Sequence, residues 1–434
     1  MDISVIGSGY VGTTIAACFA DLGHDVVNVD IDEEIVATIN SGATPVHEED
    51  LPGLIAKHAS DTGTGGLRAT TDYEAVLDTE VTFLCLPTPQ NVDGSIDLSI
   101  MEAGAEQLGD TLAEKTDWHT VVVKSTVVPG STEDVITPIL AEASNQTPGK
   151  DFGVGMNPEF LREGTAVADF LDPDKVVLGA DDDRALADMQ DVFAPLIEQT
   201  DAPVVETDTR TAEMIKYANN SFLASKVSLI NDIGNICKEY GIDAYEVAGA
   251  IGLDDRISER FLRSGLGWGG SCFGKDTNAI INAATEQGYE PAMLAAAVEV
   301  NDRQPQRLLA FMDQHVDVTN KRVAVLGLAF KPGTDDVRNS RAIPVIEGLQ
   351  DRGADVVAYD PVAVENMREH FPDIEYADTP EDALDGAATA LVVTDWPEIT
   401  DLDEEFDAMQ TPVVVDGRRA IDRRDGIVYE GLTW

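Results

Sequence analysis

Apolar positions change their period twice along this chain. Over the first two hundred residues, short β-branched runs alternate with stretches whose apolar residues recur every three or four positions. The runs are ISVIG at 3–7, VVNVD at 26–30, VTFLCLP at 81–87, TVVVKST at 120–126, FGVGMNP at 152–158 and KVVLGA at 175–180. Strands alternating with helices predict a parallel sheet covered on both faces, here over residues 1–205.

From 206 to 300 the strand runs stop. TAEMIKYANNSFLASKVSLINDIGNICKEYG at 211–241 keeps helical spacing up to a stop at Gly241, and AMLAAAVEVNDRQPQRLLAFMDQHV at 292–316 repeats the style. This segment reads as a connector and a dimerisation surface. Over 301–434 the opening pattern returns. RVAVLGLAF at 322–330 resembles ISVIGSGYV, GADVVAYDP at 353–361 resembles GHDVVNVD at 23–30, and LVVTDW and VVVDGR add further strands. The expected fold class is α/β, with two Rossmann-like parallel-sheet domains joined by a long central helical segment. The second copy keeps only Gly327 where the first has three glycines. The two copies are therefore expected to bind different ligands and to form a cleft.

Composition is ordinary except in charge. At 434 residues and 43% hydrophobic content, two or three domains are expected. No apolar run approaches the ~20 residues that span a bilayer, and MDISVIG lacks the basic region of a signal peptide. A soluble cytoplasmic protein is expected. Acidic residues number 80 against 29 basic ones, a net charge of −51 spread over the whole chain. Such a surface repels nucleic acid and anionic membrane, so neither is expected as a partner. It also repels itself unless salt screens it, which points to a salt-adapted organism. The four cysteines show no CxxC spacing, so neither disulfides nor a metal site is expected. Cys18, Cys85 and Cys237 sit in apolar periodic segments and read as buried; Cys272 alone lies outside one.

Gly7-Ser8-Gly9-Tyr10-Val11-Gly12 follows a strand, opens a helix and precedes Asp30 at the end of the next strand. In that setting Gly7 permits the tight turn, Gly9 lets the backbone approach a pyrophosphate, and Gly12 packs helix against strand. Asp30 suits ribose hydroxyls and repels a 2′-phosphate, favouring NAD over NADP. Lys216 and Asn220, four apart, share a helix face that otherwise reads Ile, Ala, Phe and Leu, so the lysine lies at its rim or is paired inside. Lysine is scarce in this chain, and Lys216, Lys275 and Lys331 with Arg256, Arg338 and Arg418 make an anion-binding set suited to a pyrophosphate. None of the six histidines falls in a glycine-rich motif, which disfavours a histidine base or a Ser-His-Asp hydrolase.

GLGWGGSCFGKD at 265–276 places Cys272 among glycines that let the backbone approach a ligand, with Lys275 nearby to favour a thiolate. A thiol beside NAD can attack an aldehyde to give a thiohemiacetal, which loses a hydride to become a thioester that water releases as an acid. The plainer alternatives are a ligand-free turn at Gly7–Gly12, a solvated Lys216, and a flexible loop with an incidental cysteine.

Taken together, the motifs resemble the UDP-glucose/GDP-mannose dehydrogenase family over essentially the whole chain. They are GSGYVG at 7–12, LPTP at 86–89, KSTVVPG at 124–130, NPEFLREGTA at 157–166, KYANNSF at 216–222, GWGGSCFGKD at 267–276, GLAFKPGTDDVRNS at 327–340 and DGR at 416–418. The resemblance implies a four-electron oxidation of the C6 alcohol of a nucleotide sugar to a carboxylate, with two NAD⁺ reduced. It implies Cys272 as nucleophile, Lys216 and Asn220 as the pair that steadies the oxyanion, and Asp276 as the residue that orders water. Thr126 and Glu159 match positions that hold the attacking water and serve thioester hydrolysis. NAD contacts carry over to Tyr10, Val11, Asp30, Thr88, Thr126, Glu163, Lys275 and Arg338, beside the three loop glycines. Substrate contacts carry over to Phe160, Leu161, Arg162, Glu163, Lys216, Asn220, Phe261, Leu262, Arg263, Ser264, Gly265, Gly269, Lys331 and Arg418. Arg256 resembles an arginine that reaches the substrate from a neighbouring subunit, implying a homodimer or larger assembly. Phe273 after the cysteine favours the UDP-glucose branch over GDP-mannose. Departures are the acidic run Asp32-Glu33-Glu34, Trp268 where phenylalanine is usual, and Gly274 where proline or glutamine is common.

Overall fold

In β1 (Asp2–Ile6), Ile3 and Val5 enter one buried apolar layer and Ile6 the opposite one. Burial on both faces is what a central parallel strand requires, and it explains the near-continuous apolar runs. In the computed structural model, which describes residues 1–59 and 65–434, β1 lies inside an eight-stranded sheet. Its other strands are β2 (Asp25–Val29), β3 (Leu67–Thr70), β4 (Val81–Leu84), β5 (His119–Val123), β6 (Phe152–Met156), β7 (Val176–Ala180) and β8 (Val204–Thr207). The order is β3-β2-β1-β4-β5-β6-β7-β8. Strand order reverses between β1 and β4, and such a switch point opens a crevice at the strands' carboxyl ends.

One pairing departs from the expected parallel sheet: β6 and β7 run antiparallel, with Met156 opposite Gly179. The only helix between them is Ala166–Leu171, six residues long. The rest of that connection, over 157–175, contains no other helix or strand. β3 and β8 are short and have no strong apolar run; the residues of β8 are largely exposed.

The chain divides into two units, Met1–Asn219 and Asn220–Trp434. The division falls inside a 31-residue helix, Thr209–Glu239. The second unit contains the helices Ala244–Gly252, Phe273–Glu286 and Ala292–Asp313. It also holds a six-stranded parallel sheet of β9 (Arg322–Leu326), β10 (Asp355–Tyr359), β11 (Glu375–Tyr376), β12 (Thr389–Val392), β13 (Val413–Asp416) and β14 (Val428–Gly431). Its order, β11-β10-β9-β12-β13-β14, repeats that of the first six strands. The recurrence of the opening pattern at 322–361 is thus a recurrence of topology. Leu308, Leu309 and Met312 of the helix Ala292–Asp313 pack into this sheet's core.

Candidate active site

In the first unit, the turn after β1 is shaped by what its glycines must avoid. Gly7 has φ +98°, and a Cβ there would lie 2.5 Å from the Cys85 carbonyl oxygen. A Cβ on Gly12 would lie 1.9 Å from the Gly7 carbonyl oxygen, so helix Tyr10–Asp21 could not pack against the turn. Gly9 differs: a Cβ there would meet nothing within 4 Å. It caps the helix without a side-chain hydrogen bond, so the first-turn N–H groups of Tyr10, Val11 and Gly12 have no side-chain cap. Ser8 Oγ is buried and has no hydrogen-bond partner among the described residues.

Asp30 Oδ2 accepts a bond from Ser8 N–H at 2.5 Å and Oδ1 one from Asp32 N–H at 3.0 Å, which aims the carboxylate across the turn. Thr88 Oγ1 donates to the Thr126 carbonyl oxygen at 3.0 Å, joining the loops after β4 and β5. An open cradle of N–H groups, an orphaned hydroxyl and an oriented carboxylate fit a dinucleotide. The acidic run beside it has a structural use: Asp32 caps the helix Glu33–Asn40 through the N–H groups of Glu34 and Ile35.

The loop after β6 carries Glu159. Its carboxylate is buried to 10% side-chain exposure and is held at both oxygens, by Lys216 Nζ at 2.6 Å and Leu161 N–H at 2.7 Å. Lys216, itself buried, also donates to the Glu159 carbonyl oxygen at 2.6 Å. Of the two positions open to Lys216, the chain uses the inner, paired one. Burial pushes the Glu159 carboxyl up, but the charge and hydrogen bond of Lys216 outweigh it and hold the group below its ordinary value. Phe160 lies under Lys175, whose ammonium is 4.0 Å from the ring centroid. Arg162 turns to Asp169, and Glu163 is half-buried.

In the second unit, Cys272 precedes helix Phe273–Glu286 and is the one exposed cysteine; Cys18, Cys85 and Cys237 are buried. Its loop is anchored by buried hydrogen bonds. Asn231 accepts from Gly265 N–H at 2.8 Å, and Gln304 donates to the Gly265 carbonyl at 2.7 Å. Asn301 grips Trp268 from both sides, accepting from its N–H at 2.8 Å and donating to its carbonyl at 3.0 Å. All three amide side chains are fully buried. The Trp268 indole N–H donates to Ser228 Oγ at 3.0 Å, a bond that phenylalanine cannot make. Gly265 and Gly269 each face a backbone carbonyl 2.5 Å from a would-be Cβ, whereas Gly274 has room for a side chain.

Asp276, almost fully buried, accepts from Asn220 Nδ2 at 2.6 Å and pairs with Lys275 at 2.8 Å. Lys275 is thus committed to a carboxylate. The DGR loop meets the glycine loop directly: Arg418 donates to the Gly267 carbonyl at 3.0 Å, and Asp416 organises the turn by accepting from the N–H groups of Arg418, Ala420 and Ile421. Ser264 binds Thr433 at 2.7 Å, Arg263 lies 3.6 Å from Asp395, and Leu262 is buried. Phe261 is exposed with φ +62°. Lys331 lies near the Phe330 ring. Arg338 pairs with Asp336, and Arg256 with its neighbour Asp254 at 88% side-chain exposure.

Sequence models of one family match three stretches: an NAD binding domain over 1–197, a central domain over 210–303 and a UDP binding domain over 324–423. The chain belongs to the UDP-glucose/GDP-mannose dehydrogenase family. It is 62% identical over 433 residues to UDP-glucose 6-dehydrogenase AglM of Haloferax volcanii, covering all of both chains. UDP-glucose 6-dehydrogenase of Rhizobium meliloti is 40% identical over 442 residues, with 100% of this chain and 98% of the relative covered. The solved structure of a UDP-glucose dehydrogenase from Pyrobaculum islandicum superposes with a TM-score of 0.92 at 40% identity, covering 100% of this chain and 98% of the other. Membership makes the protein an NAD-dependent nucleotide-sugar dehydrogenase, and the turn at Gly7–Gly12 belongs to its NAD binding domain. No helix among the described residues is long and apolar enough to cross a membrane.

Proposed function

We propose that this dehydrogenase oxidises the C6 alcohol of UDP-glucose to the carboxylate of UDP-glucuronate, through a thiohemiacetal and a thioester on Cys272. The observation that carries the mechanism is the position of Cys272: the one exposed thiol, on a loop held by three buried amides. The full-length 62% identity to a UDP-glucose 6-dehydrogenase supports the substrate. The Gly7–Gly12 cradle and Asp30 would hold NAD⁺, which would supply a hydride acceptor for each of the two oxidations, the oxygen-bound proton leaving to water each time.

Lys216 and Asn220 act on the developing oxyanion, the first with a buried ammonium and the second with an amide aligned by Asp276. Cys272 adds its sulfur to the C6 aldehyde, and the thiol proton ends on the former carbonyl oxygen. Loss of the second hydride and the hydroxyl proton leaves the thioester. Glu159 and Thr126 position a water whose oxygen replaces sulfur, so that the acid leaves and the thiol is restored. Arg418, Lys331, Ser264, Gly265 and Gly269 bind the nucleotide part of the substrate.

The working form is a homodimer. Phe222, Leu229 and Ile236, spaced by seven on the long helix, expose 71%, 57% and 54% of their surface along one stripe. Arg256, exposed and paired with its neighbour Asp254, would then reach the neighbouring subunit's substrate by giving up that surface pair.

Counting NADH per sugar tests this reading. UDP-glucose, GDP-mannose and N-acetylated UDP-sugars are offered with NAD⁺ in concentrated KCl. Two NADH per UDP-glucose, with little turnover of the rest, is expected. One NADH per sugar would remove the thioester route, and preference for GDP-mannose would overturn the substrate.

A further inference from the structure

Lys124 is a buried cation with no role in the steps above. It follows β5 directly and is only 4% exposed. Its ammonium donates to Asn157 Oδ1 at 2.6 Å. Asn157 is fixed on two further sides, donating its backbone N–H to the Val123 carbonyl at 2.9 Å and its amide to the Val177 carbonyl at 2.7 Å. Lys124 therefore ties together the residues that follow β5 and β6, one position before Ser125-Thr126 and two before Glu159. Lys124 and Glu159 line the same small cavity behind the loop. Among the described residues no carboxylate lies within ion-pair distance of Lys124, so its charge is not consumed locally.

We propose that Lys124 is a positioning residue for Glu159: it fixes the Asn157–Glu159 turn and supplies a second positive charge, so that the carboxylate stays ionised when Lys216 turns to the substrate oxygen. This rests on the role given to Glu159 in thioester hydrolysis. In the free protein Lys216 bonds Glu159, yet the hydride steps need the same ammonium at C6. A carboxylate this buried, deprived of its direct cation, would take up a proton. Lys124 points elsewhere for its hydrogen bond and stays in place throughout. Lys216 and Lys124 act on Glu159 by charge, Cys85 is coupled to it, and Asp169 and Lys175 line the same small cavity. Burial pushes the Cys85 thiol up to about 12, leaving it neutral. Burial likewise pushes Lys124 down to about 8, against the pull of Glu159, so it remains charged at neutral pH.

The test is an infrared pH titration of the free full-length protein, with Glu159→Gln assigning the carboxyl band. Lys124→Gln keeps a donor to Asn157 but removes the charge, and the Glu159 midpoint is expected to rise by about one pH unit. Asn157→Asp, which cancels the charge of Lys124 in place, is expected to raise it too and serves if the first variant does not fold. In the reaction, the acid limb of thioester hydrolysis should move upward by the same amount while the first hydride step keeps its rate. An unchanged midpoint in either folded variant overturns the proposal. If Glu159→Gln hydrolyses the thioester at the wild-type rate, the role of Glu159 falls separately, and the titration still decides whether Lys124 holds its charge.

Discussion

At the scale of single residues the reaction divides into groups that can be removed one at a time. Cys272→Ser is expected to lower acid formation by at least on the order of a thousand-fold, because a hydroxyl does not replace the thiol in the covalent step. NAD affinity, measured by fluorescence titration, should be unchanged, since the substitution leaves the Gly7–Gly12 turn and Asp30 untouched. Wild-type acid output from this variant would remove the nucleophile. Lys216→Ala is expected to slow hydride transfer by roughly 10²–10³-fold, the usual effect of losing a preorganised partner to an oxyanion. It also removes the direct cation of Glu159, but Lys124 is expected to keep that carboxylate ionised, so hydrolysis should slow less than hydride transfer. Pre-steady-state NADH bursts separate the two; a normal burst would show that Lys216 does not serve the oxyanion.

Much of this site was legible as types at spacings: the glycine turn with Asp30, the cysteine among glycines, and the Lys216–Asn220 pair. What held them was not. Asn231 and Asn301 are polar residues inside apolar helical stretches, and that misfit was the available signal, but nothing in the spacing says that they face the loop of Cys272. Lys216 and Glu159 are 57 positions apart, and their pairing follows only from the packing of the long helix on the loop after β6.

At the scale of elements, β5 carries a pH-dependent weakness. His119 at its start is fully enclosed, bonded to Thr82 Oγ1 at 2.7 Å and to the Thr79 carbonyl at 3.1 Å. Burial pushes it from its ordinary 6.5 down to about 3. A depressed folded value means that the unfolded chain binds the proton first. The stability it permits is complete above about 6.5 and is lost as pH falls toward about 3. Between these limits the loss approaches about 1.4 kcal/mol per pH unit. Urea unfolding of the wild type and of His119→Gln should show the acid slope flattened in the variant, and parallel slopes would acquit the histidine. On the long helix, Leu229→Glu places a charge in the exposed apolar stripe and should give monomers by light scattering. A persistent dimer would place the interface elsewhere. The antiparallel β6–β7 pair marks the limit of pattern reading here. Apolar runs announce strands but not their direction, which only the tertiary pairing shows.

For the whole molecule the governing quantity is charge. With 80 acidic and 29 basic residues, like-charge repulsion over the surface opposes folding unless it is screened. The screening length falls from about 10 Å at 0.1 M to about 3 Å at 1 M salt. The unfolding temperature in KCl should therefore climb over this range, even though exposed ion pairs such as Arg256–Asp254 weaken. A melting temperature independent of KCl would mean that repulsion is not the limiting term.

What the sequence by itself determined was periodic or compositional: the two βα repeats, the helical segment between them, the dinucleotide turn and the acidic surface. These depend on local stereochemistry and on sums over residues, both of which can be read along a line. The tertiary structure alone decided which buried polar groups meet. The Lys216–Glu159 pair, the amides around the Cys272 loop and the Lys124–Asn157 tie each join residues dozens of positions apart, and each partner was fixed by burial that leaves a polar group no water to turn to.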